Sequence, residues 1–449
     1  MLDALIEKCH DFLNSRRASV FYLLLACFTV VFSVENYAIP IFVLWCLFIL
    51  VLEKNFLNLF LPVTLLCGFA IRTSGQSTML LQHLWLAVPV VVFIVLHFVI
   101  HLRKPRLGKL FFAQCAVALS LLLGGLFSIA PADYFSPGAL YFVLLLGLGM
   151  LLFYFWFQNG VSSNKYYDCR EKLMECLYAL GIFCTFSILD QAVRTAVSMN
   201  AVSAAFNASY VWSNDICELM LFAIPAPFYF ARRHYGHTIA GLIFFLAMIP
   251  THSASAILVG GVLLLCCFTY LFVYRKPHRF LTGVLIVLLV LLALGAVIFL
   301  SGREGGLLSW FFAEENGRLA LIREAWGSFL RNPLFGAGLG APTTEAEVTF
   351  MAINWTHNFI FQVLGGLGIL GLLVYGYQLY LRARLVFSRP DPFRMACGLS
   401  YLGIFLISMF QPGVFCPMPY ETMAVMIFAV LETAEREETE KMKKTDSPS

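Results

Sequence analysis

The runs 90–100, 281–300 and 359–380 are almost continuously apolar. A strand crossing a bilayer alternates apolar and polar residues, so runs of this length and uniformity fit helices and exclude a β-barrel. A soluble fold cannot hide them: 60% of the 449 residues are hydrophobic and only 12% are charged, too little polar surface to cover a globular domain. The reading that fits is an all-α polytopic membrane protein.

Cutting at polar and Pro/Gly-marked breaks predicts spans near 18–34, 37–52, 56–71, 80–100, 108–130, 138–157, 173–190, 211–231, 237–250, 253–274, 280–300, 357–381, 395–411 and 419–433. Allowing for ambiguous breaks, this is about 12–14 transmembrane helices. Basic residues orient them, because Lys and Arg collect on the cytoplasmic side. With the amino terminus inside, 24 of the 30 fall on cytoplasmic segments, Arg382 among them, and the six outside, Arg72, Arg194, Arg303, Arg318, Arg323 and Arg331, are all arginine. Both termini are therefore expected in the cytoplasm, with Arg16 and Arg17 before a retained first span.

On this parsing, 1–300 is an amino-terminal bundle of about eleven spans. The stretch 301–356 is one long extracytoplasmic loop with an amphipathic helix at 316–331, transmembrane helices fill 357–433, and 434–449 is a cytoplasmic tail. From Glu432 onward the charged sequence is expected to fray. The basic residues form no stripe with interleaved aromatics, so no nucleic-acid partner is expected. The 13 cysteines fall mainly in apolar segments without a CxxC pair or a Cys/His cluster, so neither a metal site nor a disulfide framework is expected.

Four outer arginines within 303–331 stand against the pressure that keeps positive charge off that face. The guanidinium fork suits phosphate oxygens, which would account for them; the alternative is pairing with Glu304, Glu314, Glu315 and Glu324 of the same loop. Asn316 can cap a helix whose Leu319, Ile322, Trp326, Phe329 and Leu330 recur at helical spacing, and Asn332 and Pro333 end it. Lying apolar side down, it would hold Arg318, Arg323 and Arg331 at headgroup depth, unless it is purely an architectural lid. The turn Leu334-Phe335-Gly336-Ala337-Gly338-Leu339-Gly340 permits close backbone approach but lacks a P-loop Lys-Ser/Thr. His357 and Asn358 stand just before the next apolar run, where the histidine is either a general base or a hydrogen-bonding anchor. Gly365, Gly366, Gly368 and Gly371 then read as a helix-packing face and not as a ligand site.

Taken together, Gly317-Arg318, Trp326, Asn332-Pro333-Leu334-Phe335-Gly336-Ala337-Gly338, His357-Asn358-Phe359-Ile360-Phe361-Gln362 and Gly368-Ile369-Leu370-Gly371-Leu372-Leu373 resemble, in order and spacing, the bacterial O-antigen ligase/polymerase family. Close similarity covers 316–375 and a looser one 211–274. The chain departs from the family's pattern at Thr251-His252-Ser253-Ala254-Ser255, which has no arginine, and at Gly365-Gly366, where many members carry an acidic residue.

The resemblance implies a glycosyltransferase C-like fold that moves a glycan from an undecaprenyl diphosphate carrier to an acceptor at the outer face of the bacterial plasma membrane. The expected enzyme is inverting, uses no metal or other cofactor, and serves polymerisation or ligation of O-antigen, capsule or exopolysaccharide. His357, Arg323 and Arg318 are the expected catalytic residues, with Arg331, Arg194, Arg72 and Asn358 binding substrate. The acceptor, a hydroxyl on a glycan, a lipid or a protein, separates polymerase from ligase from protein oligosaccharyltransferase. The competing class is a lipid-linked oligosaccharide flippase or other transporter, which would place charged residues and broken helices well inside the spans.

Overall fold

The computed structural model describes residues 2–72, 85, 87–101, 105–129, 140, 143–164, 166–201, 213–301, 316–339, 355–411 and 413–445, and no strand occurs among them. The chain opens with α1 (Leu2–Leu13) and α2 (Arg16–Phe32), which meet at a bend of 70°. Next come α3 (Glu35–Leu52), α4 (Phe60–Arg72), α5 (Ala87–Ile100), α6 (Phe111–Leu126), α7 (Met150–Gly160) and α8 (Cys169–Ser198). Then follow α9 (Ser213–Ala223), α10 (Pro225–Ala231), α11 (His237–Ala247), α12 (Ala254–Tyr274), α13 (Arg279–Ser301), α14 (Asn316–Arg331), α15 (Phe359–Phe387), α16 (Pro392–Ile407) and α17 (Thr422–Thr445).

By length and composition α3, α8, α12 and α15 can each cross a membrane, and the bent α1–α2 pair passes the same test as one unit. Shorter apolar helices, α6 and α16 among them, pack beside these. Phe222, Phe228, Met426 and Phe428, on α9, α10 and α17, are wholly buried at the centre, while Leu24, Phe28, Val91 and Leu292 are exposed. Apolar side chains facing outward suit a lipid surface, which costs them nothing. The chain is an all-α polytopic membrane protein.

Two features differ from the sequence reading. The segment expected to fray from Glu432 continues α17 as regular helix to Thr445. Its acids have partners: Glu432 accepts from the amides of Lys109 (3.0 Å) and Leu110 (3.1 Å) and from the Tyr154 hydroxyl (2.7 Å). Glu435 pairs with Lys109 at 2.6 Å, Glu437 accepts from Ser163, and Glu438 pairs with Arg170. Charge that reads as disorder in one dimension is matched here by groups distant in sequence.

The second is α15, expected as a continuous span. Gly368 has φ 64° and ψ −159°, so the helix breaks there into a short first half and a long second half. Residues 359 and 375 would lie about 24 Å apart along a straight helix, yet the Phe359 and Tyr375 rings are 5.5 Å apart. The first half therefore folds back beside the second. Phe359 also lies against Phe405 of α16, and its amide donates to the Ser408 carbonyl at 2.8 Å. His357 is thus carried to the level of Tyr375, about 10 Å along the second half from the break.

Candidate functional site

The break in α15 leaves backbone groups without intrahelical partners, and the turn after α14 supplies them. Ala337 N donates to Gly365 O (2.8 Å) and Gly338 N to Gly366 O (3.0 Å), while Ile369 N donates to Pro333 O (2.8 Å) and Leu370 N to Leu334 O (3.3 Å). Only glycine permits this approach. Gly336 has φ 73°, and a Cβ there would lie 2.5 Å from the Gly366 carbonyl carbon; one at Gly368 would lie 2.5 Å from that of Leu334. Of the four glycines read from sequence as a helix-packing face, Gly365 meets Ala325 of α14 and Gly371 meets Val363 and Leu367 of the first half of α15. Gly366 and Gly368 make a dock for a loop.

α14 runs over the residues that the spacing predicts. Ala325 is its buried contact, whereas Leu319, Trp326 and Leu330 are exposed and share the opposite face with Arg323. Arg331 is also exposed and donates to Ser328 Oγ at 3.2 Å. Arg318, whose side chain lies outside the described residues, stands about two turns before Ala325 along α14. Arg303, Glu304, Glu314, Glu315 and Gly340 lie outside the described residues. Asn332 Nδ2 ties the end of α14 to Phe127 O at 2.8 Å.

At the other end of the folded-back half, Asn358 caps α15, its Oδ1 accepting from Ile360 N (3.0 Å) and Phe361 N (3.2 Å), and its Nδ2 donates to Met409 O at 3.0 Å. Gln362 turns back to accept from Thr356 N at 2.8 Å. Between these anchors His357 adopts φ 51°, and its Nδ1 faces Gln411 Oε1 at 3.3 Å. The described contacts of Asn358 are thus a cap and a tie, while His357 is presented from a strained position.

Arg72 and Arg194 stand apart from this cluster. Arg72 Nε donates to Glu35 Oε1 at 2.8 Å and Nη1 approaches Ser187 O at 3.5 Å. Arg194 binds Asp190 at 2.8 Å and reaches the last carbonyls of α2, Val30 (3.2 Å) and Val31. These contacts join α2, α3, α4 and α8.

Three groups escaped the sequence reading. Gln411 is one, visible only as the polar end of a predicted span. Asp215 and Glu218, one turn apart on α9, are the others: Tyr420 Oη donates to Asp215 Oδ1 at 3.1 Å, and Glu218 is fully buried. Acids within an otherwise apolar run were the available signal. Beside them Cys217 Sγ lies 3.2 Å from Thr251 Oγ1, in the stretch that lacks the family's arginine.

Residues 239–376, from α11 into the second half of α15, match the family model for O-antigen ligase. The stretch contains α14, the docked turn, His357, Asn358 and the break at Gly368, so the model and the motifs point to the same family. The match supports an O-antigen ligase or polymerase-type function in surface polysaccharide synthesis. No curated protein matches the chain.

Proposed function

We propose that this protein transfers a glycan from an undecaprenyl diphosphate carrier to an acceptor hydroxyl at the outer face of the bacterial plasma membrane, with inversion at the anomeric carbon. The observation that supports the reading most is that the family match spans both the arginine-bearing α14 and His357, held on opposite ends of the first half of α15. From Gly365 back to Phe359, two residues after His357, the helix rises about 9 Å. In this reading the diphosphate lies toward the α14 end and the acceptor hydroxyl toward the histidine end.

In this reading Arg318, Arg323 and Arg331 bind the diphosphate, with Arg194 and Arg72 as more distant cations. The acceptor oxygen attacks the anomeric carbon as the bond to the diphosphate oxygen breaks. The electron pair leaves with undecaprenyl diphosphate, and the acceptor proton passes to His357. Arginines aimed at the charge that develops on the leaving group, together with positioning, supply the rate.

A flippase remains the second reading, because Glu218, Arg382 and Glu421 place charge inside the bundle and α15 is broken. Liposomes holding the protein and an undecaprenyl diphosphate oligosaccharide separate the two. Carrier release with a ladder of chain lengths means polymerase, and release only on adding a defined acceptor means ligase or protein transferase. Passage of the lipid across the bilayer with its glycan still attached means flippase.

A further inference from the structure

We propose that Gln411 is the positioning residue that fixes the tautomer of His357, holding Nδ1–H so that Nε2 is the nitrogen that takes the acceptor's proton. This deepens the transferase reading and rests on it. An amide oxygen only accepts, so Gln411 Oε1 facing Nδ1 at 3.3 Å puts the imidazole proton on Nδ1 and the basic lone pair on Nε2.

The turn that carries Gln411 is fixed to the histidine on both sides. The Ser408 carbonyl accepts from Phe359 N at 2.8 Å, Met409 O accepts from Asn358 Nδ2 at 3.0 Å, and Gln411 N is anchored to Ile407 O at 2.9 Å. The two residues immediately after His357 are thereby locked to two that lie just before Gln411, so neither ring nor amide drifts alone.

The amide carries a cost that packing does not explain. Gln411 is 5% exposed, and its Nε2 is buried with no hydrogen-bond partner among the described residues. Burying such an orphan is unfavourable, and a methionine of similar length would avoid it. His357 adds strain of its own at φ 51°. Two unfavourable features meet at one contact, and what they produce is a histidine of defined tautomer. When Nε2 takes the proton, the imidazolium keeps its Nδ1–H bonded to Oε1, and the proton is later returned to solvent.

The test uses the full-length protein in liposomes, with undecaprenyl diphosphate oligosaccharide as donor and the same compound or a purified lipid core as acceptor. Gln411→Glu, whose side chain only accepts, keeps kcat within about threefold, whereas Gln411→Met lowers kcat by about 10–100-fold at unchanged donor KM. Full kcat in Gln411→Met, or equal loss in Gln411→Glu and Gln411→Met, overturns the proposal. If the methionine variant fails to fold, the glutamate variant decides: near wild-type turnover supports the Nδ1–H assignment, and loss of turnover with an unchanged melting temperature overturns it. His357→Ala separates the two levels. Its full activity removes the base reading altogether, whereas its inactivity beside an active Gln411→Met removes only the role of Gln411.

Discussion

Arg382 and Glu421 form a buried ion pair: Arg382 Nη1 lies 3.2 Å from Glu421 Oε2, Nη2 bonds Oε1, and Nη1 also donates to the Tyr401 hydroxyl at 2.8 Å. Arg382 is 1% exposed, and its guanidinium faces the rings of Tyr401 and Phe428 at 5.1 and 5.2 Å. Basic-residue placement alone puts Arg382 on a cytoplasmic connection. In the structure it lies within α15 and joins the second half of that helix to α16 and to Glu421 just before α17, the two elements that flank the turn with Gln411.

Removing one partner leaves a buried charge, at a cost of about 3–5 kcal/mol. Arg382→Met and Glu421→Gln should each lower the melting temperature sharply. The double change Arg382→Met/Glu421→Met should lose less than the sum of the singles, because no orphan charge remains. Additive losses in thermal unfolding would show that the pair is not coupled.

Gly368→Ala should destabilise the protein by at least about 1–3 kcal/mol, since its backbone conformation is open essentially to glycine alone and its Cβ would strike Leu334. Gly336→Ala should behave alike. Gly376, where a methyl group would meet nothing within 4 Å, is the control: alanine there, in the helical second half of α15, should be neutral or stabilising. Melting temperatures of the three variants in one detergent decide the matter.

Exposed and buried arginines should separate by what they damage. Arg323→Ala and Arg331→Ala should raise donor KM or lower kcat without moving the melting temperature, because both side chains are exposed. Arg72→Gln should move the melting temperature, because it strips Glu35 of a partner at 2.8 Å. A drop in stability for Arg323→Ala equal to that of Arg72→Gln would contradict this division.

What the sequence disclosed followed the range of its signals. α14 was legible because Asn316, the apolar spacing and Asn332-Pro333 are all local. The break in α15 was not, because glycines inside an apolar run read as continuous helix until a loop from about thirty residues earlier docks on them. His357 and Asn358 stood out at the edge of a run, but Gln411 lies 54 residues beyond His357 and its meaning comes only from the contact. Counting outer arginines could not reveal that Arg72 has Glu35 as partner or that Arg194 binds the end of α2. The charged end of α17 misled for the same reason, since its partners include Lys109, 326 residues away.

If α14 and His357 together perform glycosyl transfer, both must govern the rate at which undecaprenyl diphosphate is released. That rate is measured in liposomes for wild type, Arg323→Ala and His357→Ala, all at matched melting temperature. His357→Ala should slow release by about 10²–10⁴-fold, and Arg323→Ala should slow it by a smaller factor at subsaturating donor. Release at the wild-type rate from His357→Ala would contradict the proposed transfer.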